Sequence, residues 1–237
     1  MSRHLLMEIE NLKRRMLHLG GVVERAFREA VESIRARDPE RAEHVVADDA
    51  EIDRLEVELE EDCLKALALH QPVAVDLRYV IAILKINNDL ERIGDLAANI
   101  AERAIFLAAR PRIDMPFDFA GMADRTRDML KRSLDALVLE DPDLAAAVCR
   151  DDDEVDRINR EMYEKVKKGI ERNPERLDSY INIFGVSRQI ERIADHATNI
   201  AEDVIYTLKG DIIRHGHGEP KAKSERSPSP PGLNGNG

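Results

Sequence analysis

The sequence predicts an all-α protein with six long helices that form two tandem, duplicated antiparallel three-helix bundles. The composition supports this prediction, because 35% of the 237 residues are charged, 4% are aromatic and none is tryptophan. Aliphatic side chains must therefore supply the core, as they do in long helices. Proline-containing breaks separate the stretches of helical periodicity. Residues 88–102 and 188–202 also repeat one pattern, with Glu, Asp, Asn and Glu at relative positions i, i+4, i+8 and i+11.

The first half contains three predicted helices. Asp38-Pro39 ends the first, because proline disfavours helical geometry in the residue before it and is tolerated in the first turn of the next helix. The second helix carries an apolar row at amphipathic spacing, and Gln71-Pro72 ends it. Pro111 and Pro116 follow the third and mark the boundary between the halves. The predicted helices span residues 5–37, 39–70 and 73–109.

The second half repeats this plan at four places. Its predicted helices span residues 117–140, 142–172 and 174–209. The matching features are Asp141-Pro142 with Asp38-Pro39, Asn173-Pro174 with Gln71-Pro72, segment 152–157 with 49–54, and the two stretches already described. We therefore divide the chain into a first bundle at 1–112, a second at 113–212 and a tail at 213–237. The tail is predicted to be disordered, because it cannot bury enough apolar surface to offset its ordering entropy.

Charge and hydropathy exclude several classes of function. The formal net charge is -11, and the absence of a basic block argues against nucleic-acid binding. The amino terminus reaches a charge before any apolar core of signal-peptide length, and no stretch is long and apolar enough to span a membrane. We therefore expect a cytoplasmic protein. Two cysteines at non-equivalent positions give no reason to predict a disulfide.

Short breaks between long helices favour antiparallel neighbours, which fixes the register of each helical hairpin. Folding at Gln71-Pro72 pairs residues whose numbers sum to about 143, and folding at Asn173-Pro174 pairs those that sum to about 346. Four acidic residues then come level in each half, although level height does not establish that their side chains meet. The candidate metal ligands are Asp49, Asp53, Glu91, Asp95, Asp152, Asp156, Glu191 and Asp195.

These acidic rows have two interpretations. Glu91 and Asp95 lie about 170° around the third helix from its apolar row, so we expect them on the opposite face. Carboxylates held close repel one another unless a cation lies between them, so the rows are either solvated or metal-bound. Oxygen-only ligation favours Mg, Ca, Mn or Fe, and the lack of Cys and His clusters argues against structural zinc. Periodicity alone favours the solvated face.

Other chemistry has weaker support. His196 has no counterpart at Leu96, so we interpret it as a surface or packing histidine. The Glu-x-x-His signature of di-iron bundles is absent from both acidic rows, which argues against a ferritin-like oxidase.

The stretch from Asn88 to Asp95, continued by Asn99-Ile100-Ala101-Glu102 and preceded by the segment 71–78, closely resembles the PhoU family of phosphate-uptake regulators. The likeness spans about residues 1–210. It implies a cytoplasmic, non-enzymatic negative regulator that couples the phosphate ABC transporter to a sensor histidine kinase. The expected partners are the transporter's ATPase subunit and the kinase, and we expect a homodimer that reaches the membrane through partners only. Some family members bind multinuclear iron or zinc clusters at acidic pairs four residues apart, here at the eight positions named above.

The two copies differ in one informative way. Glu56 and Glu60 of the first half correspond to Asn159 and Tyr163 of the second, so we predict weaker metal binding in the second half. A metal-dependent enzyme or metal-storage protein is the alternative function, although no residue stands out as its dedicated base. A helical scaffold with solvated acidic faces is the third hypothesis.

Overall fold

The computed structural model describes residues 3–113 and 118–209, and it confirms the predicted fold class. Six long helices follow one another, and a single 3₁₀ turn, Pro174–Arg176, precedes the last. The helices are α1 (Arg3–Ala36), α2 (Pro39–His70), α3 (Ala74–Ala108), α4 (Phe119–Leu139), α5 (Pro142–Arg172) and α6 (Leu177–Lys209). The predicted disordered tail lies outside the described residues, and the predicted domain limits stay predictions.

The Asp-Pro pairs begin helices as well as separating them. The Asp38 carboxylate accepts a hydrogen bond from the backbone N–H of Arg41 at 3.0 Å, and proline occupies the first turn of α2. The Asp141 carboxylate accepts from two backbone N–H groups at the start of α5. These bonds pair orphan donors of the first helical turn, which explains why the breaks recur with the same residues.

The two bundles share one core along α3 and α6. Buried apolar residues from all six helices form a continuous cluster. The Lys85 ammonium donates to Asp203 at 2.6 Å, and the Arg103 guanidinium donates to Asn182 at 3.2 Å, so α3 and α6 run antiparallel. Each is the central helix of its bundle, because α3 also contacts α1 and α2 while α6 contacts α4 and α5.

Arg37 secures the C-terminal end of α3 from the turn after α1. Its guanidinium donates to the backbone oxygens of Leu107 and Ala108 at 2.7 and 3.1 Å, and also to that of Arg110. We expect Arg37→Ala to lower the free energy of unfolding by about 2 kcal/mol, because it leaves the last carbonyls of α3 without this charged donor. Urea unfolding measures the loss.

Arg35→Ala is the matched control for Arg37→Ala. Arg35 is exposed and pairs with Glu32 one turn away, so its removal should cost roughly 0.5 kcal/mol or less. Equal losses from both variants would contradict the capping role of Arg37.

Within residues 3–113 and 118–209, no helix is long and apolar enough to cross a membrane.

Candidate metal centre

Two direct contacts confirm the predicted register of the helical hairpins. In the first, the Asn87 amide donates to the backbone oxygen of Glu56 at 3.0 Å and to its Oε1 at 3.1 Å. In the second, the Ser187 hydroxyl donates to Asn159 Oδ1 at 2.6 Å. The residue numbers of these pairs sum to 143 and 346, the values predicted from the two turns. The acidic rows on neighbouring helices therefore come level as expected.

The first hairpin, α2 with α3, gathers four of the predicted residues. Burial, followed by the charges of Asp53 and Asp95, raises the pKa of Asp49. Burial also raises the pKa of Glu91, as do the nearby charges of Asp95, Glu56 and Asp53, while Arg92 lowers it. These mutual effects show that the carboxylates of both helices share one neighbourhood.

A close approach of backbones allows this grouping in the first hairpin. A Cβ built on Gly94 would lie 3.0 Å from Ile52 Cδ1 and 3.5 Å from Asp49 Oδ1. The counterpart pair in the second hairpin is Val155 with Ala194, and both are fully buried. The larger Ile52 thus faces Gly94 in the first hairpin, and the smaller Val155 faces Ala194 in the second.

The second hairpin, α5 with α6, holds the tightest group. Asp152, Asp156 and Asp195 each offer a carboxylate oxygen, and these three atoms lie within 4.8 Å of one another. In the ranges that the structure describes, this is the one group of three His, Cys, Asp or Glu residues with that spacing. Burial, and then the charges of Asp195 and Asp156, raise the pKa of Asp152 to about 6. Burial and the same two charges raise the pKa of Glu191.

The expectation that the carboxylates lie on the face opposite the core is wrong. Glu91 is 22% exposed and Asp95 is 41% exposed, so they lie at the edge of the α2–α3 interface. Because α3 contacts α1, α2 and α6, its buried arc extends past the apolar row to Asn87 and Gly94. The acidic row follows the border of that arc.

The predicted difference in affinity between the hairpins stays a prediction, and the structure weighs against it. Counting carboxylates favours the first hairpin, whereas the closest group of oxygens lies in the second. Distances across a hairpin depend on side-chain packing, which a count of charges does not include.

Buried oxygen atoms without donors test whether these residues fit a cation. Glu91 Oε2 and Asn87 Oδ1 are buried, and neither has a hydrogen-bond partner in the described structure. The Arg92 Nε atom lies 3.4 Å from Glu91 Oε2 as an ion pair without hydrogen-bond geometry. Acceptors that lack donors are what a metal ion would coordinate, so the residues fit a cation. The sequence prediction missed Asn87, although the register placed it level with Glu56.

The remaining candidates take packing roles. His196 Nδ1 lies 2.8 Å from Asp89 Oδ1 across the α3–α6 contact, in agreement with the interpretation as a packing histidine. Cys63 and Cys149 are free thiols. Burial raises the pKa of Cys63 to about 12 and that of Cys149 to about 11, so both stay protonated at neutral pH.

The fold and the site together define a class of protein: a tandem duplication of three-helix bundles, in which each bundle has a hairpin lined by facing carboxylates. The family model described as "PhoU domain" matches residues 16–104 and 119–204. A PhoU homologue of Pseudomonas aeruginosa is 35% identical over 215 residues, which cover 90% of this chain and 89% of that protein. One from Aquifex aeolicus is 36% identical over 90% of this chain and 96% of its own length. The chain belongs to the PhoU family.

Solved structures agree with this assignment. The crystal structure of PhoU from Pseudomonas aeruginosa has a TM-score of 0.82 and 35% identity, and the match covers 86% of this chain and 99% of that one. The PhoU structure from Streptococcus pneumoniae has a TM-score of 0.79 and 26% identity, and the match covers 89% of this chain and 99% of that one. The six-helix fold is thus shared over nearly the whole length of both relatives.

Proposed function

We propose that this protein is an accessory protein and negative regulator of a phosphate-specific transport system. It acts in the cytoplasm, without enzymatic activity, as an adaptor between the ATPase subunit of the transporter and a sensor histidine kinase. The observation that carries the proposal is the family match over both halves, because relatives at about 35% identity are named phosphate-specific transport system accessory proteins. The kinase and the homodimer are expectations from the family resemblance.

We also propose that the two hairpins bind metal through the eight predicted carboxylates. Burial and then mutual repulsion raise the pKa of Asp49, Glu91 and Asp152, and a cation would cancel the repulsion and join two helices of each bundle. The oxygen donors suit iron, manganese, magnesium or calcium, and the family resemblance adds multinuclear iron or zinc.

One end of the first bundle supplies a surface for docking on the transport system. Leu69 is 78% exposed at the end of α2, and Val73 and Val75 are 74% and 57% exposed in the turn to α3. Gln71, the left-handed residue that ends α2, and Ala74 at the start of α3 have positive φ angles of 44° and 49°. The net charge of -11 disfavours an anionic membrane surface, so we assign this apolar end to a protein partner.

The counterpart turn of the second bundle differs. Asn173 and Glu175 are exposed polar residues there, Arg176 is half-buried, and Asn173 has a negative φ. The apolar turn is therefore present in the first bundle and absent from the equivalent position of the second, so the two bundles have different surfaces there. Acidic surfaces elsewhere would attract basic faces of the partners at long range and make docking salt-sensitive.

Pull-down from a phosphate-replete extract tests the adaptor function. We expect the wild-type protein to retain the transporter's ATPase subunit and the kinase, and Leu69→Ser with Val73→Ser to lose most of the ATPase subunit. Burial of each apolar side chain in the complex stabilises that complex, so replacing both with serine should weaken binding of the ATPase subunit by about tenfold or more.

Ile181→Ser is the control for the docking surface, because Ile181 is 52% exposed in the second bundle. It should bind as the wild type does. Retention of neither partner by the wild-type protein would refute the adaptor function, while equal retention by all variants would refute the assigned surface.

Metal content tests the second part of the proposal. Protein purified without chelator or affinity nickel should contain stoichiometric metal, because a cation offsets the repulsion among deprotonated, closely spaced carboxylates at neutral pH. Mass spectrometry of the elements identifies the ion. Metal-free protein that also gains none on dialysis would support the solvated scaffold. Turnover of phosphate esters, or iron oxidation, that Glu91→Ala abolishes would support the enzyme alternative.

A further inference from the structure

The positive charges of this acidic protein are concentrated at one end. The Arg103 guanidinium donates to Asn182 at 3.2 Å, so the last turns of α3 lie level with the start of the antiparallel α6. The sequence has three arginines and no acidic residue from Arg103 to Ile113. It has five cations against three carboxylates from Lys165 to Asp178. The end of the molecule where α3 ends and α5 turns into α6 therefore has a net positive charge, within a chain of net charge -11.

The α1–α2 turn lies at the same end and leaves this positive charge unchanged. Arg37 donates to backbone oxygens at the end of α3, which places the turn beside that end. From Glu32 to Arg41 the sequence has three arginines and three carboxylates. Glu32 pairs with Arg35 at 2.9 Å, and Asp38 pairs with Arg41 at 3.6 Å. The turn is therefore neutral.

Five cations near the junction of α3, α5 and α6 form no ion pair with any residue that the structure describes. They lie on the last two turns of α5 and just beyond the end of α3, and all but one of them are exposed. These residues, which we call the basic end, are Arg110, Arg112, Lys167, Lys168 and Arg172.

The opposite end of the molecule is acidic. Lys13 lies 3.3 Å from Glu10 and 3.6 Å from Glu140, and Lys209 lies 3.9 Å from Asp143, so these cations are paired with carboxylates. The length of α3 separates the two ends by roughly 50 Å, at about 1.5 Å per residue. This separation is several times the Debye length of about 8 Å at physiological salt. Local charge, and not the net charge, therefore governs what the basic end attracts.

The shape and composition of the basic end suit an extended anionic surface. Cavities of about 370 and 590 Å³ lie between α1 and α2 and between α3 and α6, and none of the five cations lines either cavity. Leu177, which is 44% exposed, adds an apolar side chain at the start of α6. Flexible basic side chains beside an exposed apolar one match the interface of an anionic bilayer, where headgroup phosphates meet acyl chains.

We propose that the basic end binds the surface of an anionic phospholipid membrane directly. Lys167, Lys168 and Arg172 contact headgroup phosphates, and Leu177 reaches the boundary of the acyl chains. This direct contact replaces the expectation that the protein reaches the membrane through partners only. It leaves the apolar turn of the first bundle, at the opposite end, available to a protein partner.

Sedimentation with vesicles tests this proposal. The full chain is used with chelator present, so that no divalent cation bridges its carboxylates to lipid phosphate. One set of vesicles contains phosphatidylglycerol and phosphatidylcholine, and the other contains phosphatidylcholine alone. We expect the wild-type protein to bind the anionic vesicles at physiological salt and the neutral vesicles about tenfold less. Salt of about 1 M should release the protein, because the Debye length falls to about 3 Å.

A pair of double variants locates the contact on the protein. Lys167→Gln with Lys168→Gln should weaken binding to the anionic vesicles by about tenfold or more, because each basic side chain near such a surface contributes a factor of about five. Arg14→Gln with Lys131→Gln is the matched control, because it removes two exposed cations that lie away from the basic end. The control should bind as the wild type does. All four positions are exposed, and circular dichroism confirms that each variant is folded.

The outcomes separate the membrane contact from the adaptor function. If the wild-type protein does not prefer anionic vesicles, or if both double variants lose binding equally, the membrane contact is refuted and the adaptor function stands. If Lys167→Gln with Lys168→Gln binds vesicles normally but loses the ATPase subunit in the pull-down, the basic end serves a protein partner and the membrane proposal is wrong. Vesicle binding by a wild-type protein that retains neither partner would refute the adaptor function alone.

Discussion

Asp152→Asn is expected to stabilise the metal-free protein at pH 7.5 and to remove metal binding from the second hairpin. Burial and the charges of Asp195 and Asp156 raise the pKa of Asp152 from 3.8 to about 6, so its ionised form is disfavoured in the folded state. At neutral pH, asparagine relieves this repulsion and should raise the free energy of unfolding by about 1 to 2 kcal/mol, a figure reduced because the side chain is partly in contact with solvent. The same change removes an anionic ligand.

The stability gain should depend on pH in a defined direction. The folded state binds more protons than the unfolded state between pH 3.8 and about 6, so the unfolding free energy of the wild type falls as pH rises through this range. Asparagine does not titrate, so the variant lacks this pH dependence. The advantage of the variant is therefore small near pH 4 and reaches its full size above pH 6.

Urea unfolding in the presence of chelator, at pH 4 and pH 7.5, measures this effect, and Mn²⁺ titration measures the metal loss. Asp153→Asn is the matched control, because Asp153 is the exposed neighbour and lies outside the carboxylate group. It should leave metal binding intact. A variant at Asp152 that is less stable than wild type at both pH values would contradict the repulsive role.

Gly94→Val is expected to lower the free energy of unfolding by about 2 to 3 kcal/mol and to weaken metal binding in the first hairpin. The Cβ alone would lie 3.0 Å from two carbons of the buried Ile52 side chain. The branched side chain must therefore push α2 and α3 apart, which costs the strain of an overpacked core. The same movement separates Asp49 from Asp95.

A compensating pair provides the control for Gly94→Val. Gly94→Ala with Ile52→Val installs the Ala194 and Val155 combination of the second hairpin, which packs at the same register. Ile52→Val alone should cost about 1 kcal/mol, and in the double variant the smaller side chain should make room for the alanine. Additive losses in this double-mutant cycle would show that Ile52 does not limit the approach of the helices.

Interactions between residues close in sequence explain why the helix starts and the hairpin register could be predicted from the sequence. The Asp-Pro breaks predicted the starts of α2 and α5, because a carboxylate that caps orphan N–H groups and a proline in the first turn act within four residues. Turn positions then set the hairpin register, which the Glu56–Asn87 and Asn159–Ser187 contacts confirm. The start of α6 was less exact, since Pro174–Arg176 forms a 3₁₀ turn.

The sequence by itself determined the helices, their order, the register of each hairpin and the heights of the eight carboxylates, because period and capping are properties of neighbouring residues. Only the tertiary structure decided how deeply those carboxylates lie. Glu91 is half-buried because α3 contacts three other helices, and Asp152, Asp156 and Asp195 meet because α5 packs closely on α6. Such contacts depend on side chains far apart in the chain, such as Ile52 against Gly94, where a few tenths of an ångström separate a close fit from a clash.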